Sequence, residues 1–185
     1  MAACSSSGRQ NEDPVKRLTL MRHADARWQD ARLSDLERPL NRRGSAAAET
    51  MAKRLLELNL VPDLLLVSPA RRTRQTGEIV ARELSVPARL VLSEEALYLA
   101  SAADLLKAVQ GTGPRVKHLL VVGHNPGVSE LVHQLVPEAE AGGLATAALC
   151  SIAFETPHWT AIGVAPVKDV LREAPPARGL FGLFG

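Results

Sequence analysis

Two basic side chains stand side by side where an apolar run ends: Arg22 and His23 close the stretch Leu18-Thr19-Leu20-Met21. The pattern recurs twice. The apolar run 63–68 gives way to Ser68-Pro69 and then Arg71, Arg72 and Arg74, and the run 117–123 ends in Gly123-His124-Asn125-Pro126. Arginines and histidines meeting from separate segments make an anion site. A guanidinium fork matches two oxygens of a phosphate, and an imidazole offers a lone pair or a proton near neutral pH. Taken singly, an Arg-His pair is a common surface accident, and arginines at 71–74 read as a solvated helix face. Three basic groups at strand ends of one chain are a convergence, because ligands of open α/β sheets bind beyond the carboxyl ends of the strands.

The elements that must position these residues follow from the hydrophobic pattern. Residues 17–21, 63–68, 88–92 and 117–123 read as strands, with 150–155 and 159–164 as a late strand pair. Residues 42–60 are helical, with Ala47, Met51, Leu55 and Leu58 recurring at helical steps behind Asn41 as a cap. Further helices are expected over 70–85, over 101–111 opened by Ser101 and closed by Gly111, and from about Pro126 onward. Residues 24–40 carry many charges and no clear period, which predicts a loop or broken helix. Ser68-Pro69 and Asn125-Pro126 each read as an N-cap followed by proline at the first helical position, so both helices aim a positive dipole end at the same rim. Arg71, Arg72 and Arg74 cannot all face that rim at 3.6 residues per turn, and spacing does not say which one does. Strands alternating with helices imply a three-layer α/β/α sandwich around a mostly parallel central sheet.

Bulk properties narrow the function classes. The 185 residues suit one domain with a full core: a polar arm over 1–16, a domain over 17–172 and a Pro/Gly-rich tail over 173–185. A net charge of +2 argues against a nucleic-acid binder, although basic residues crowd 14–89 while 130–140 carries only Glu130, Glu138 and Glu140 as charged groups. No apolar stretch reaches membrane-helix length and the leader lacks an apolar core, so a membrane partner and secretion are not expected. Cys4 and Cys150 make no framework of disulfides or metal ligands, which fits a cytoplasmic setting. No clustered ligand residues suggest a metal, and no cofactor is expected. Residues 111–117, "GTGPRVK", have the wrong Gly–Lys spacing for a phosphate loop. His118, His133 and His158 read as packing or surface residues, and Trp28 and Trp159 as core or rim.

The ordered set Arg22-His23-Ala24-Asp25, Ser68-Pro69-Ala70-Arg71-Arg72-Thr73-Arg74 and Gly123-His124-Asn125-Pro126 resembles the histidine phosphatase superfamily. Its short SixA-type phosphohistidine phosphatase branch is the nearest pattern, and the stretch Asp35-Leu36-Glu37-Arg38-Pro39-Leu40 through Gly44 resembles the lead into that branch's first helix. The resemblance implies a phosphoglycerate mutase-like fold, His23 as nucleophile, Arg22 and Arg72 as phosphate clamps and His124 as the second histidine. Asn125 joins the implied phosphate-binding set. Family members acting on esters take a carboxylic acid from the region of Glu94 and Glu95, which makes Glu95 the candidate proton donor. Asp25 is a second candidate, or a structural acceptor. Ala24 stands where the family most often has glycine, and a left-handed backbone there would cost alanine about 1 kcal/mol.

The chemistry suits these residue types. Arg22 and Arg72 beside His23 oppose a further positive charge and keep its imidazole neutral, hence nucleophilic. Fixed guanidiniums and helix-end N–H groups stabilise charge on a transferring phosphoryl group without a metal. The expected activity is phosphoryl hydrolysis through a covalent phosphohistidine, acting on a phosphohistidine-bearing protein. A broad small-molecule phosphomonoesterase is the first alternative, and a non-catalytic phosphate-binding adaptor the second.

Overall fold

The computed structural model describes residues 15–27, 33–138 and 142–176. Strands and helices alternate along it: β1 (Val15–Arg22), α1 (Arg42–Glu57), β2 (Leu64–Val67), α2 (Arg71–Glu83), β3 (Val91–Ser93), α3 (Ala102–Gln110), β4 (His118–Gly123), α4 (Gly127–Leu135), β5 (Leu149–Glu155) and β6 (Val167–Glu173). The sheet order is β3-β2-β4-β1-β5-β6. Strands β1 to β4 are mutually parallel and β5 runs against both β1 and β6, so the sheet is mixed but mostly parallel.

Strand periodicity divides the core in two. Leu18, Leu20, Leu119, Val121 and Ile152 point to the face covered by α3 and α4, where Leu105, Val109, Val128 and Leu131 meet them. Met21, Leu120, Val122, Leu65 and Val67 point the other way, onto Met51 and Leu55 of α1 and Val80 and Ala81 of α2. Strand β4 is buried at every position, as a central strand covered on both faces must be. The chain moves from β1 through β2 to β3 with helices on one face, then turns back to β4 with a helix on the other. This is what right-handed crossovers require when the direction of travel reverses. The reversal brings the carboxyl ends of β1, β2 and β4 together at the middle of the sheet.

The expected caps of α1 and α3 are in place: Gly44 N–H donates to Asn41 Oδ1 at 2.7 Å and Asp104 N–H to Ser101 Oγ at 3.2 Å. Other expectations are corrected. Strand β1 begins at Val15, so residues 15 and 16 belong to the sheet. Residues 88–90 form one 3-10 turn, and the strand expected at 88–92 is the short β3. As an edge strand pairing only with β2, it needs little apolar sequence. Residues 159–161 are likewise a 3-10 turn that buries Trp159, not the start of a strand over 159–164. Gly163 at φ +106° and Pro166 break that segment. The partner of β5 is β6, a half-exposed edge strand whose charges hide its period. The 24–40 segment, expected as a loop or broken helix, is irregular where it is described apart from a 3-10 turn at Asp35–Glu37 and a bridge from Ala26 to Leu40. Cys4, Trp28 and most of the expected arm and tail lie outside the described residues. Among the described residues no helix is long and apolar enough to cross a membrane.

His118 is more than packing. Its Nδ1 lies 3.2 Å from the Val61 carbonyl, its Nε2 2.8 Å from Thr19 Oγ1, and Thr19 continues to Ser151 at 3.0 Å. Burial, with a smaller contribution from Arg17, lowers its pKa to about 4 against the opposing pull of the Val61 carbonyl and Asp63. A histidine with a folded pKa below its unfolded value of 6.5 contributes stability that is full above that value and lost as pH falls toward 4. We predict that urea-unfolding free energy drops between pH 7 and pH 4, with His118 accounting for about 3 kcal/mol. His118→Gln is expected to flatten the acid limb. An acid limb of unchanged steepness in that variant would show that His118 does not carry the effect.

Candidate active site

Register sets the site before any side chain is considered. Arg22 pairs with Gly123 across β1 and β4, so His23 and His124 are the next residues on neighbouring strands. The His23 backbone is pinned on both sides, its N–H donating to Gly123 O at 3.0 Å and its carbonyl accepting from Ala147 N at 3.2 Å. The ring centroids of His23 and His124 lie 5.1 Å apart at an interplanar angle of 62°. Ala24 is buried, takes no left-handed backbone, and donates its N–H to Thr76 Oγ1 at 3.1 Å. Gly44 allows the first turn of α1 to lie against the Asp25 carbonyl, which an added Cβ would overlap.

Hydrogen bonding fixes both tautomers. The Ala24 carbonyl only accepts, so His23 Nδ1, at 2.8 Å, carries the proton and Nε2 keeps its lone pair. That Nε2 faces Arg72 Nε at 3.4 Å. Arg72 Nη2 lies 3.3 Å from His124 Nδ1, and a guanidinium only donates, so His124 Nδ1 is the acceptor. His124 therefore carries its proton on Nε2, which donates to Ser68 Oγ at 2.7 Å. Two imidazole lone pairs thus converge on one edge of one guanidinium.

Arg72 is the inward arginine. It is 2% exposed, whereas Arg71 and Arg74 are exposed. It sits on the face of α2 shared with Gln75, which holds Leu40 N at 2.8 Å, and with Thr76. Arg22 Nη1 donates to the Leu144 carbonyl at 3.1 Å, and its buried Nε makes no hydrogen bond among the described residues. Burial depresses the His23 pKa to about 4, outweighing the Ala24 carbonyl, and Arg72, Arg22 and Arg38 lower it further. Burial also leads for His124, held at about 3, with His23 and Arg72 adding to it. The low basicity of His23 is first a matter of burial and second of the arginines.

The two expected cap residues serve the site differently. Helix α2 begins at Arg71 after Ala70, and the Ser68 hydroxyl is engaged by His124. Helix α4 begins at Gly127, and Asn125 uses its amide to bind the Leu144 carbonyl at 2.9 Å and accept from Ser129 Oγ at 2.8 Å. Asn125 therefore braces the same carbonyl that holds Arg22. Asp25 is the structural acceptor, taking Asn41 Nδ2 at 2.6 Å. Glu95 is exposed at the start of a 3-10 turn, and Glu94 lines a separate cavity of about 500 Å³ beside α3. The described contacts bring neither glutamate to the histidines.

What reaches the site instead is Asp35 and Tyr98. Asp35 Oδ2 accepts from Arg72 Nη2 at 2.9 Å and from Tyr98 Oη at 2.9 Å, its Oδ1 accepts from Arg38 Nε at 2.9 Å, and its backbone carbonyl accepts from Arg72 Nη1 at 2.6 Å. Partial burial works to raise the Asp35 pKa, but hydrogen bonds from Arg72, Tyr98 and Arg38 and the Arg72 charge bring it to about 2. Tyr98, the chain's one tyrosine, lies edge-on to His124 at 5.7 Å. The sequence signal for Asp35 was its place in the 35–44 stretch. Tyr98 carried none beyond its rarity.

Three comparisons relate the chain to known proteins. Residues 18–94 match the model of the histidine phosphatase superfamily, branch 1. An uncharacterized chloroplastic protein of Arabidopsis thaliana is 32% identical over 130 residues, which cover 65% of this chain and 59% of that one. The phosphohistidine phosphatase SixA of Escherichia coli is 31% identical over 137 residues, covering 74% of this chain and 84% of that protein. A solved structure of the protein histidine phosphatase SixA complexed with tungstate superposes with a TM-score of 0.72 at 27% identity, over 86% of this chain and 97% of that one.

Proposed function

The chain belongs to the SixA-type branch of the histidine phosphatase superfamily, and we propose that it is a phosphatase that hydrolyses protein phosphohistidine through a phosphoryl group carried on His23. The observation that carries this reading is the single guanidinium edge of Arg72, 3.4 Å from His23 Nε2 and 3.3 Å from His124 Nδ1. A phosphoryl group entering between the two rings meets a neutral nucleophile and a fork of donors. The tungstate held by the SixA structure is a tetrahedral oxyanion, as phosphate is.

In the first step the His23 Nε2 lone pair forms a bond to phosphorus as the bond to the substrate's imidazole nitrogen breaks. That nitrogen takes a proton from solvent water and leaves as neutral imidazole. A water molecule then attacks the phosphoryl group on His23 and gives up a proton to solvent, so that inorganic phosphate departs and His23 regains its lone pair. Arg72 and Arg22 spread charge from the equatorial oxygens onto guanidiniums already in place. His124 becomes a donor toward the phosphoryl group once it gains a proton, which a dianion beside it favours.

The site's acid–base character favours a P–N bond. Asp35 is an anion above pH of about 2 and no described contact brings Glu95 to the histidines, which favours a leaving group that needs less protonation than an alkoxide. An imidazole leaving group is itself readily protonated and needs less help. Cys150 is buried, and burial pushes its thiol up to about 11, so it is an inert thiol and plays no part in this reaction.

The discriminating measurement is kcat/KM on a phosphohistidine peptide, a phosphoserine peptide and an aryl phosphate. We expect the phosphohistidine peptide to lead by about 100-fold, the scale of a missing general acid. A lead for the aryl ester would turn the reading to a broad phosphomonoesterase. Phosphate binding without turnover of any substrate would leave only an adaptor.

A further inference from the structure

We infer that Asp35 is a positioning residue of the phosphoryl site, acting through Arg72. This rests on the reading that Arg72 holds the phosphoryl group. A guanidinium is a rigid plane with two usable edges. The Nε/Nη2 edge of Arg72 faces the gap between His23 and His124. Among the described residues the Nη1/Nη2 edge is gripped by Asp35, through its backbone carbonyl at 2.6 Å and its Oδ2 at 2.9 Å. Holding one edge of a planar group by two bonds aims the other edge, so Asp35 presents the inner fork to the oxygens without contacting them.

Asp35 is itself fixed. Arg38 binds its Oδ1, Tyr98 binds its Oδ2, and residues 35–37 form a 3-10 turn. The carboxylate is ionised throughout the working pH range, so it does not serve as a proton donor there. The edge of Arg72 that it occupies is not the one that faces His23, which distinguishes it from a competing anion.

The test separates orientation from charge. Asp35→Ala is expected to lower kcat about 30-fold, the scale of a misplaced catalytic group. Its inhibition constant for inorganic phosphate should not weaken, because removing a negative charge near an anion site offsets the lost alignment. Asp35→Asn, whose amide oxygen still accepts from Arg72, should recover activity to within about fivefold. In an Arg72→Lys background, which lacks the fork, Asp35→Ala should cause no further loss. Unchanged or faster turnover in Asp35→Ala would overturn the inference, as would an Asn variant as slow as Ala or a full additional loss on Arg72→Lys. Asp35 lies on an exposed turn, and thermal unfolding confirms that each variant is folded. The underlying site reading fails by a different result, retained turnover in Arg72→Ala.

Discussion

His23→Ala is expected to lower phosphatase turnover by at least ~10⁴-fold while leaving inorganic phosphate bound to within about tenfold of the parent affinity. The asymmetry follows from the division of labour. In the proposed reaction His23 Nε2 forms the bond to phosphorus, whereas Arg72, which touches both His23 and His124, holds the oxygens together with Arg22 and His124. Quenching the parent enzyme during turnover of a ³²P-labelled substrate should trap label that survives alkali and is lost in acid, as a phosphoramidate does and a phosphoester does not. The variant should trap none. Because His23 has its pKa lowered to about 4, the lone pair is free at neutral pH and is lost only as pH falls through that value. Labelling should therefore stay level from pH 8 to about 5 and decline below. Full turnover in His23→Ala would remove the proposed nucleophile.

Arg72→Ala should cost about 10³-fold in kcat/KM, and Arg71→Ala no more than about threefold. Both residues open α2 and carry the same charge, so any difference between them measures geometry and not net field. Arg72 is buried against both His23 and His124, and Arg71 is exposed. Arg72→Lys should recover little, since an ammonium cannot reach His23, His124 and Asp35 from one plane. Equal losses at 71 and 72 would mean that general electrostatic attraction, and not a placed fork, holds the substrate.

Much of the fold was legible because burial writes itself into strand and helix periods. The alternating Leu18/Leu20 and Met21 pattern, the continuous 118–123 run and the Ala47-Met51-Leu55 steps each report a face that must be covered. Legibility failed at the sheet edges. Strand β6 carries Lys168, Asp169, Arg172 and Glu173 because half of it meets solvent, so it lacks the apolar signature of a strand. Trp159 suggested a strand through its apolar neighbours but is buried from a 3-10 turn, with its indole N–H donating to Val116 O at 2.9 Å.

The local sequence by itself determined which residues end the central strands, and with them that Arg22, His23, a choice among three arginines of α2, and His124 stand where strands stop. That information is local, carried by apolar runs and the residue that stops each. Only the tertiary structure decided which nitrogen of each imidazole is free, that Ser68 and Asn125 brace the site and do not cap helices, and that Asp35 and Tyr98 join Arg72 and His124. Those facts depend on angles between side chains from distant segments, 63 residues apart in the case of Asp35 and Tyr98. No spacing in the chain encodes an angle; packing around a reversed crossover sets it.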